Sequence, residues 1–317
     1  MSLASTFASD VRRGLGERPR RLPPHWFYDE LGSRLFDAIC LLPWYRITRV
    51  ERRLLVRAAR AMSKGAGGPA LVAELGPGNG EKLALFLAGL GGSRRILLAD
   101  ISPEALSAAT ARLAKAGIAD VATIRGSYEK GLARIARARP RSGAALVLFL
   151  GSNVGNFEPA RASRFLRDVR SALRPGDGFL LGADLMKPEK DLLLAYDDPL
   201  GVTAAFNRNV LARMNRELGA DFDLSSFGHR ALWNAREGRV EMHLVSRRAQ
   251  RVHIPGARLR VPFRKGESIF TEASYKYDSG ELRARVEAEG FAARRRFEDG
   301  AAGYALTLYE AVARRRP

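Results

Sequence analysis

LVAELGPGNGEK, residues 71–82, decides the fold: an apolar run stops at an acidic residue, three alternating glycines follow, and a polar-apolar helical pattern begins. The stretch reads as strand, tight loop and helix. Gly76, Gly78 and Gly80 let the backbone approach a ligand where any Cβ would collide, and the helix behind them offers unsatisfied N–H groups. A nucleotide-like ligand is expected there. The next apolar run, RRILLADIS, places Asp100 22 residues beyond Gly78, about where a mononucleotide-binding unit carries its ribose-binding carboxylate.

Three cofactor classes use such a unit, and local details separate them. A dinucleotide site wants Gly or Ala at the sixth position, where this chain has Glu81; a Walker loop needs Gly, Lys and Ser or Thr in succession, and none follows. What remains is E-x-G-x-G-x-G, made by Glu74, Gly76, Gly78 and Gly80, which resembles the first motif of S-adenosylmethionine-dependent methyltransferases. The plainer alternative is a glycine-rich turn that binds nothing.

Outward from this loop the elements alternate. Strands at 71–75, 95–100, 121–125, 144–150 and 178–184 and helices at 80–90, 103–116 and 159–173 predict a doubly wound sheet. Ser102 caps the second helix and Pro103 occupies its first position. Residues 187–276 interrupt the sheet with helices at 189–197 and 201–218 and β-patterned runs at 239–247, 250–254 and 258–262. A helix at 279–289 and runs at 291–298 and 303–310 would supply closing antiparallel strands. The expected fold class is α/β: a Rossmann-like class I methyltransferase sheet with an inserted α+β substrate-binding domain.

Composition narrows the function classes. The chain has 317 residues, 46% of them hydrophobic, enough for one large core or two modest ones. A single cysteine, Cys40 in RLFDAICLLPW, excludes an internal disulfide framework and reads as a buried structural thiol in a reducing compartment. No apolar run approaches the ~20 residues of a membrane span and the N-terminus lacks a signal-peptide core, so a cytoplasmic protein is expected. The net charge of +19 suggests nucleic acid, but the arginines are spread along the chain. Small clusters at 12–21, 293–297 and the C-terminal ARRRP lack interleaved aromatics to stack bases. The four histidines, His25, His229, His243 and His253, show no metal-ligand spacing, and no metal is expected.

The blocks HWFYDELGSRLFDAICLLPWYRITRVE, ELGPGNGEK, LFLGSNVGNFEP, AYDDPLGVTAAFN, VEMHL and FTEASYKY, in this order, resemble the histidine-specific Nα-methyltransferases of ergothioneine biosynthesis. The resemblance runs from about residue 23 to 310. It implies that Glu74, Gly76, Gly78, Lys82, Asp100, Ser127 and Tyr128 line the S-adenosylmethionine site, with Ser127 replacing an aspartate common in the family. It further implies that Tyr28, Tyr45, Asn156, Tyr196 and Thr203 hold the amino acid, and that Met242, Glu272 and Ser274 surround its imidazole. Tyr45 is followed by Arg46 and Ile47 where the family usually has a proline. Without the resemblance, Glu272 reads as an exposed strand glutamate, Met242 as core filler and the tyrosines as amphipathic packing.

The implied reaction takes L-histidine to its trimethyl betaine, hercynine. Methyl transfer from a sulfonium needs an uncharged amine, alignment and no strong base, so orientation by Asn156 and Tyr28 would supply most of the catalysis. Glu272 would accept a charge-assisted hydrogen bond from the imidazole that an indole cannot fully match. The expected domains are 61–186 with 277–317 for the cofactor and 10–60 with 187–276 as a substrate lid, in a monomer with no membrane or specific nucleic-acid partner. Two alternatives stay open: the same fold acting on another amine such as tryptophan, and a basic nucleic-acid-binding protein with a degenerate methyltransferase fold.

Overall fold

A computed structural model describes residues 3–63, 68–92 and 94–313. In chain order the elements begin with α1 (Leu3–Gly16), the short β1 (Arg20–Arg21), α2 (Glu30–Leu41) and α3 (Ile47–Ser63). The alternating core follows: β2 (Leu71–Leu75), α4 (Glu81–Leu90), β3 (Arg95–Asp100), α5 (Pro103–Lys115), β4 (Val121–Arg125), α6 (Tyr128–Ala138), β5 (Ala145–Phe149), α7 (Pro159–Ala172) and β6 (Gly178–Asp184). Then come α8 (Glu189–Tyr196), α9 (Val202–Leu218), β7 (Phe227–Asn234), β8 (Arg239–Ser246), β9 (Gln250–Ile254), β10 (Leu259–Phe263) and β11 (Ser268–Tyr275). The chain closes with α10 (Ser279–Ala288), β12 (Phe291–Asp299) and β13 (Tyr304–Ala311).

These elements form two compact units: Met1–Arg46 with Lys187–Ser274, and Ile47–Met186 with Tyr275–Pro317. The second, the sheet unit, holds a seven-stranded sheet in the order β12-β13-β6-β5-β2-β3-β4. Strands β2 to β6 pair in parallel, while β13 runs antiparallel to both β6 and β12. Strands β2 and β5 are buried along their whole length, as expected where helices cover both faces of a parallel sheet. The strand order reverses between β2 and β5, so the loops leaving their carboxyl ends diverge and open a crevice there. The glycine loop and the segment after Leu150 therefore flank the ligand-binding end of the sheet.

The expected helix at 103–116 carries its predicted cap, with the Ser102 hydroxyl accepting from Ala105 N at 3.1 Å. Sequence reading passed over α6 between the third and fourth strands. Gly131 weakens its helical signal, yet a side chain there would bring a Cβ within 2.6 Å of Ala99 Cβ, so close packing on the sheet requires the glycine. Helix α3 also belongs to the sheet unit, although residues 10–60 were expected in the substrate domain. Its buried Val50, Leu54, Leu55, Ala58 and Ala59 form one apolar stripe at helical spacing.

In the other unit, β1, β11, β8 and β7 form a four-stranded sheet and β9 pairs with β10 in a hairpin. Helix α2 starts at a satisfied cap: Asp29 accepts from Gly32 N at 2.7 Å, Asn209 Nδ2 at 2.7 Å and Arg216 Nη2 at 2.5 Å. Two arginines of the first basic cluster are structural here, while Arg13, Arg18 and Arg21 are exposed. Arg20 is buried against Glu267 and the carbonyls of Leu15 and Pro262, and Arg12 donates to Ala257 O. Arg294, Arg295 and Arg296 of the second cluster are exposed, whereas the third, Arg314 to Arg316, lies outside the described residues. Cys40 is half-buried on α2 rather than fully enclosed. Among the described residues, no helix is long and apolar enough to cross a membrane.

Candidate active site

Strand β2 ends at Glu74 and Leu75, and the chain turns through Gly76 (φ +73°), Gly78 (φ +55°) and Gly80 (φ +74°) before α4. A Cβ on Gly80 would stand 2.7 Å from Ala109 Cα, so this glycine seats the loop against α5. One on Gly76 would come within 3.3 Å of the Tyr128 hydroxyl and of Asn153 Nδ2, filling space beside the crevice. Gly78 has nothing within that range and faces open space.

Beneath the loop Glu74 is buried, and neither carboxylate oxygen has a hydrogen-bond partner among the described residues. Burial pushes its carboxyl up to about 8; Lys82 opposes the shift, and the charges of Glu51 and Asp100 add to it. A buried carboxylate left this way is costly unless a cationic or donor group completes it. Asp100, at the end of β3, also lies above the usual carboxylate range, because burial outweighs the bonds it accepts from the amides of Ser102 and Ile101. S-adenosylmethionine, with its ammonium, carboxylate and ribose hydroxyls, matches this donor and acceptor set.

Tyr128 packs edge-on against Phe149, Phe157 and Phe165 at ring distances of 5.2, 6.0 and 5.8 Å. Its ring is thus a packing aromatic whose hydroxyl reaches the glycine loop. Ser127 is exposed at the start of α6, and its hydroxyl helps hold the Glu129 carboxyl below its ordinary range. After β5, Gly151 (φ +72°) and Ser152 (φ +58°) wind the chain left-handed into a 3₁₀ turn, Asn153–Asn156. Asp184 N donates to Ser152 Oγ at 2.9 Å and the Tyr277 hydroxyl donates to Val154 O at 3.0 Å, which fixes the turn. Asn156 ends it exposed, its carboxamide without a partner among the described residues.

The remaining predicted residues lie in the other unit. Tyr28 meets Phe36 and Phe206 edge-on at 5.6 Å each, and Phe36 meets Tyr45 at 6.2 Å, so one aromatic cluster positions both tyrosines. The Tyr196 hydroxyl donates to Ser274 Oγ at 2.8 Å, joining two sequence blocks 78 residues apart. Thr203 is buried in the first turn of α9, where Asp198 accepts from its amide at 2.7 Å. Thr271 Oγ1 donates to Met242 O at 2.9 Å, which brings the strand carrying Glu272 alongside Met242. Glu272 is 8% exposed, so the solvated-strand reading of this residue does not hold.

The sequence matches, over residues 7–311, the family described as histidine-specific methyltransferase, SAM-dependent. The chain belongs to that family. It is 42% identical over 312 residues to the histidine N-alpha-methyltransferase of Mycolicibacterium smegmatis, covering 97% of this chain and 95% of that protein. The corresponding protein of Mycobacterium tuberculosis is 43% identical over 303 residues, covering 94% and 93%. The 4-dimethylallyltryptophan N-methyltransferase of Claviceps purpurea is 25% identical, covering 86% and 85%. This methyltransferase uses S-adenosylmethionine as its cofactor.

Two features of the methyltransferase escaped sequence reading. His229, assigned no role, accepts from Asn207 Nδ2 at Nδ1 (2.9 Å) and donates from Nε2 to Tyr196 O (2.8 Å). Burial holds its imidazole below the ordinary range, consistent with the neutral tautomer that those two bonds require. The other is Glu51 on α3, fully buried in the sheet unit. Nothing in RITRVERRLL distinguishes it from a solvated helix charge.

Proposed function

We infer that the chain transfers methyl groups from S-adenosylmethionine to the α-amino nitrogen of L-histidine, in three rounds that end at the trimethyl betaine. Beside the family membership, the Tyr196–Ser274 hydrogen bond carries this reading, because it unites two predicted substrate residues from distant blocks. Bound, the cofactor supplies an electrophilic methyl on a sulfonium.

The protein's part is binding and orientation. Lys82, Asp100 and the glycine loop hold the cofactor, and Glu74 offers it an acceptor that no protein group uses. Tyr28, Tyr45 and Tyr196 bind the amino acid's polar end through phenol hydroxyls, with Thr203 in support. Asn156 orients the amine lone pair through a neutral carboxamide, which suits the uncharged nucleophile. Glu272 accepts from the imidazole, Ser274 serves the other ring nitrogen and Met242 fills the space beside the ring. The protein acts as a monomer on a free amino acid in the cytoplasm.

The test is mass spectrometry after incubating purified protein with S-adenosylmethionine and the twenty amino acids. A gain of three methyl groups on histidine alone is expected. Methylation of tryptophan or another amine instead would overturn the substrate assignment, and no methylated product would favour the binding-protein alternative.

A further inference from the structure

Inside the sheet unit one carboxylate gathers donors from three other parts of the chain. Glu51, fully buried on α3, accepts from Lys82 Nζ of α4 at 2.8 Å and from the Tyr304 hydroxyl of β13. Gly151 N, at the turn after β5, donates to both of its oxygens, at 2.8 and 2.9 Å. Strand β6 makes the room: a Cβ on Gly182 would stand 2.2 Å from Glu51 Oε1 and 2.4 Å from the Tyr304 hydroxyl. The Lys82 ammonium also lies against Gly151, where an added Cβ would be 3.1 Å from Nζ.

We propose that Glu51 is a positioning residue for methyl transfer, setting together the cofactor-binding lysine and the first residue of the loop that carries Asn156. The proposal rests on the reading of Lys82 as a cofactor residue. An ion pair with a fully buried carboxylate restricts a flexible four-carbon stem to one place, and an amide shared between both oxygens fixes the carboxylate's own plane. Tyr304 completes the set, so the position of Lys82 follows from the sheet rather than from solvent. A helix charge serving only stability would need neither the lysine beside the glycine loop nor the amide at the head of the Asn156 turn.

The experiment compares Glu51→Gln, Tyr304→Phe and Lys82→Ala in steady-state kinetics, varying S-adenosylmethionine and histidine separately. Glu51→Gln is expected to raise KM for S-adenosylmethionine about tenfold and lower kcat, with KM for histidine within about twofold of the unchanged protein. Tyr304→Phe keeps the ring and loosens one carboxylate oxygen, and it is expected to raise the cofactor KM about threefold and nothing else. This variant decides the matter if Glu51→Gln does not fold. Unchanged cofactor KM in Glu51→Gln and Tyr304→Phe, or equal rises in both KM values, overturns the proposal when Lys82→Ala still weakens the cofactor. A Lys82→Ala protein with unchanged cofactor KM overturns the reading of Lys82 on which the proposal stands.

Discussion

In the sheet unit, Glu74 and Asn156 have no side-chain hydrogen-bond partner among the described residues, one buried beneath the glycine loop and the other exposed at the end of its turn. In the other unit the predicted substrate tyrosines are engaged through their side chains: Tyr196 holds Ser274, and Tyr28 and Tyr45 share an aromatic cluster. Thr203 is held by its amide on the Asp198 cap, and its buried hydroxyl has no hydrogen-bond partner among the described residues. The difference separates two ways of building a binding surface. The sheet unit leaves polar groups uncommitted and tolerates their cost, whereas the tyrosines of the other unit are braced by contacts their own side chains make.

The contrast breaks first at Glu74. Because its folded-state carboxyl lies at about 8 and an unfolded one near the ordinary 4.5, the folded protein binds the extra proton between those values. Stability contributed by that proton is therefore present at the acid end of the window and lost as pH rises through about 8, by on the order of several kcal/mol. Glu74→Gln should melt like the unchanged protein near pH 5 and well above it near pH 8.5, while binding the cofactor more weakly. Thermal melts at both values check this, and a constant difference between the two proteins across pH would remove the uncommitted carboxylate from the comparison.

The substrate end is sharpened by Glu272→Ala. Loss of a charge-assisted hydrogen bond worth roughly 1.5–3 kcal/mol should weaken histidine binding about 10- to 100-fold and leave S-adenosylmethionine affinity within about twofold. Titration calorimetry with each ligand reads both. An unchanged histidine affinity would return Glu272 to a structural role.

A smaller effect is expected away from both sets. Arg57, Arg60, Arg295 and Arg296 surround a cavity of about 380 Å³ over Phe297 in the sheet unit. Arg57, Arg60 and Arg295 have no carboxylate partner among the described residues, so this face should hold oligonucleotides without sequence preference. Replacing Arg57 and Arg60 with Ala should lower the slope of log affinity against log salt by about 2. Binding that survives the change with its salt slope intact would place the polyanion elsewhere.

Legibility followed distance along the chain. The glycine loop, Asp100 and the Ser102 cap are made by neighbours in sequence, and the structure places them as the local pattern predicts. Helix α6 was hidden because Gly131 is required by contact with Ala99 on β3, which no local propensity reports. Glu51 was hidden more deeply: its burial depends on the missing side chain at Gly182 and on a tyrosine 253 residues away. The proposed substrate residues could be named only through ordered blocks of resemblance, since a tyrosine that binds a ligand and one that packs have the same sequence signature.

The role proposed for Asn156 would let its uncommitted carboxamide bear on how quickly the enzyme lets go. Each round of methylation makes the held nitrogen bulkier, and the last leaves it permanently cationic. A carboxylate at this place would form an ion pair with the trimethylammonium group and retain it. A neutral amide offers the quaternary centre no counter-charge and, with no N–H left on it, no hydrogen to accept. In its proposed role, Asn156 orients the first substrate and loses its grip on the final product, so that departure becomes easier as the chemistry is completed.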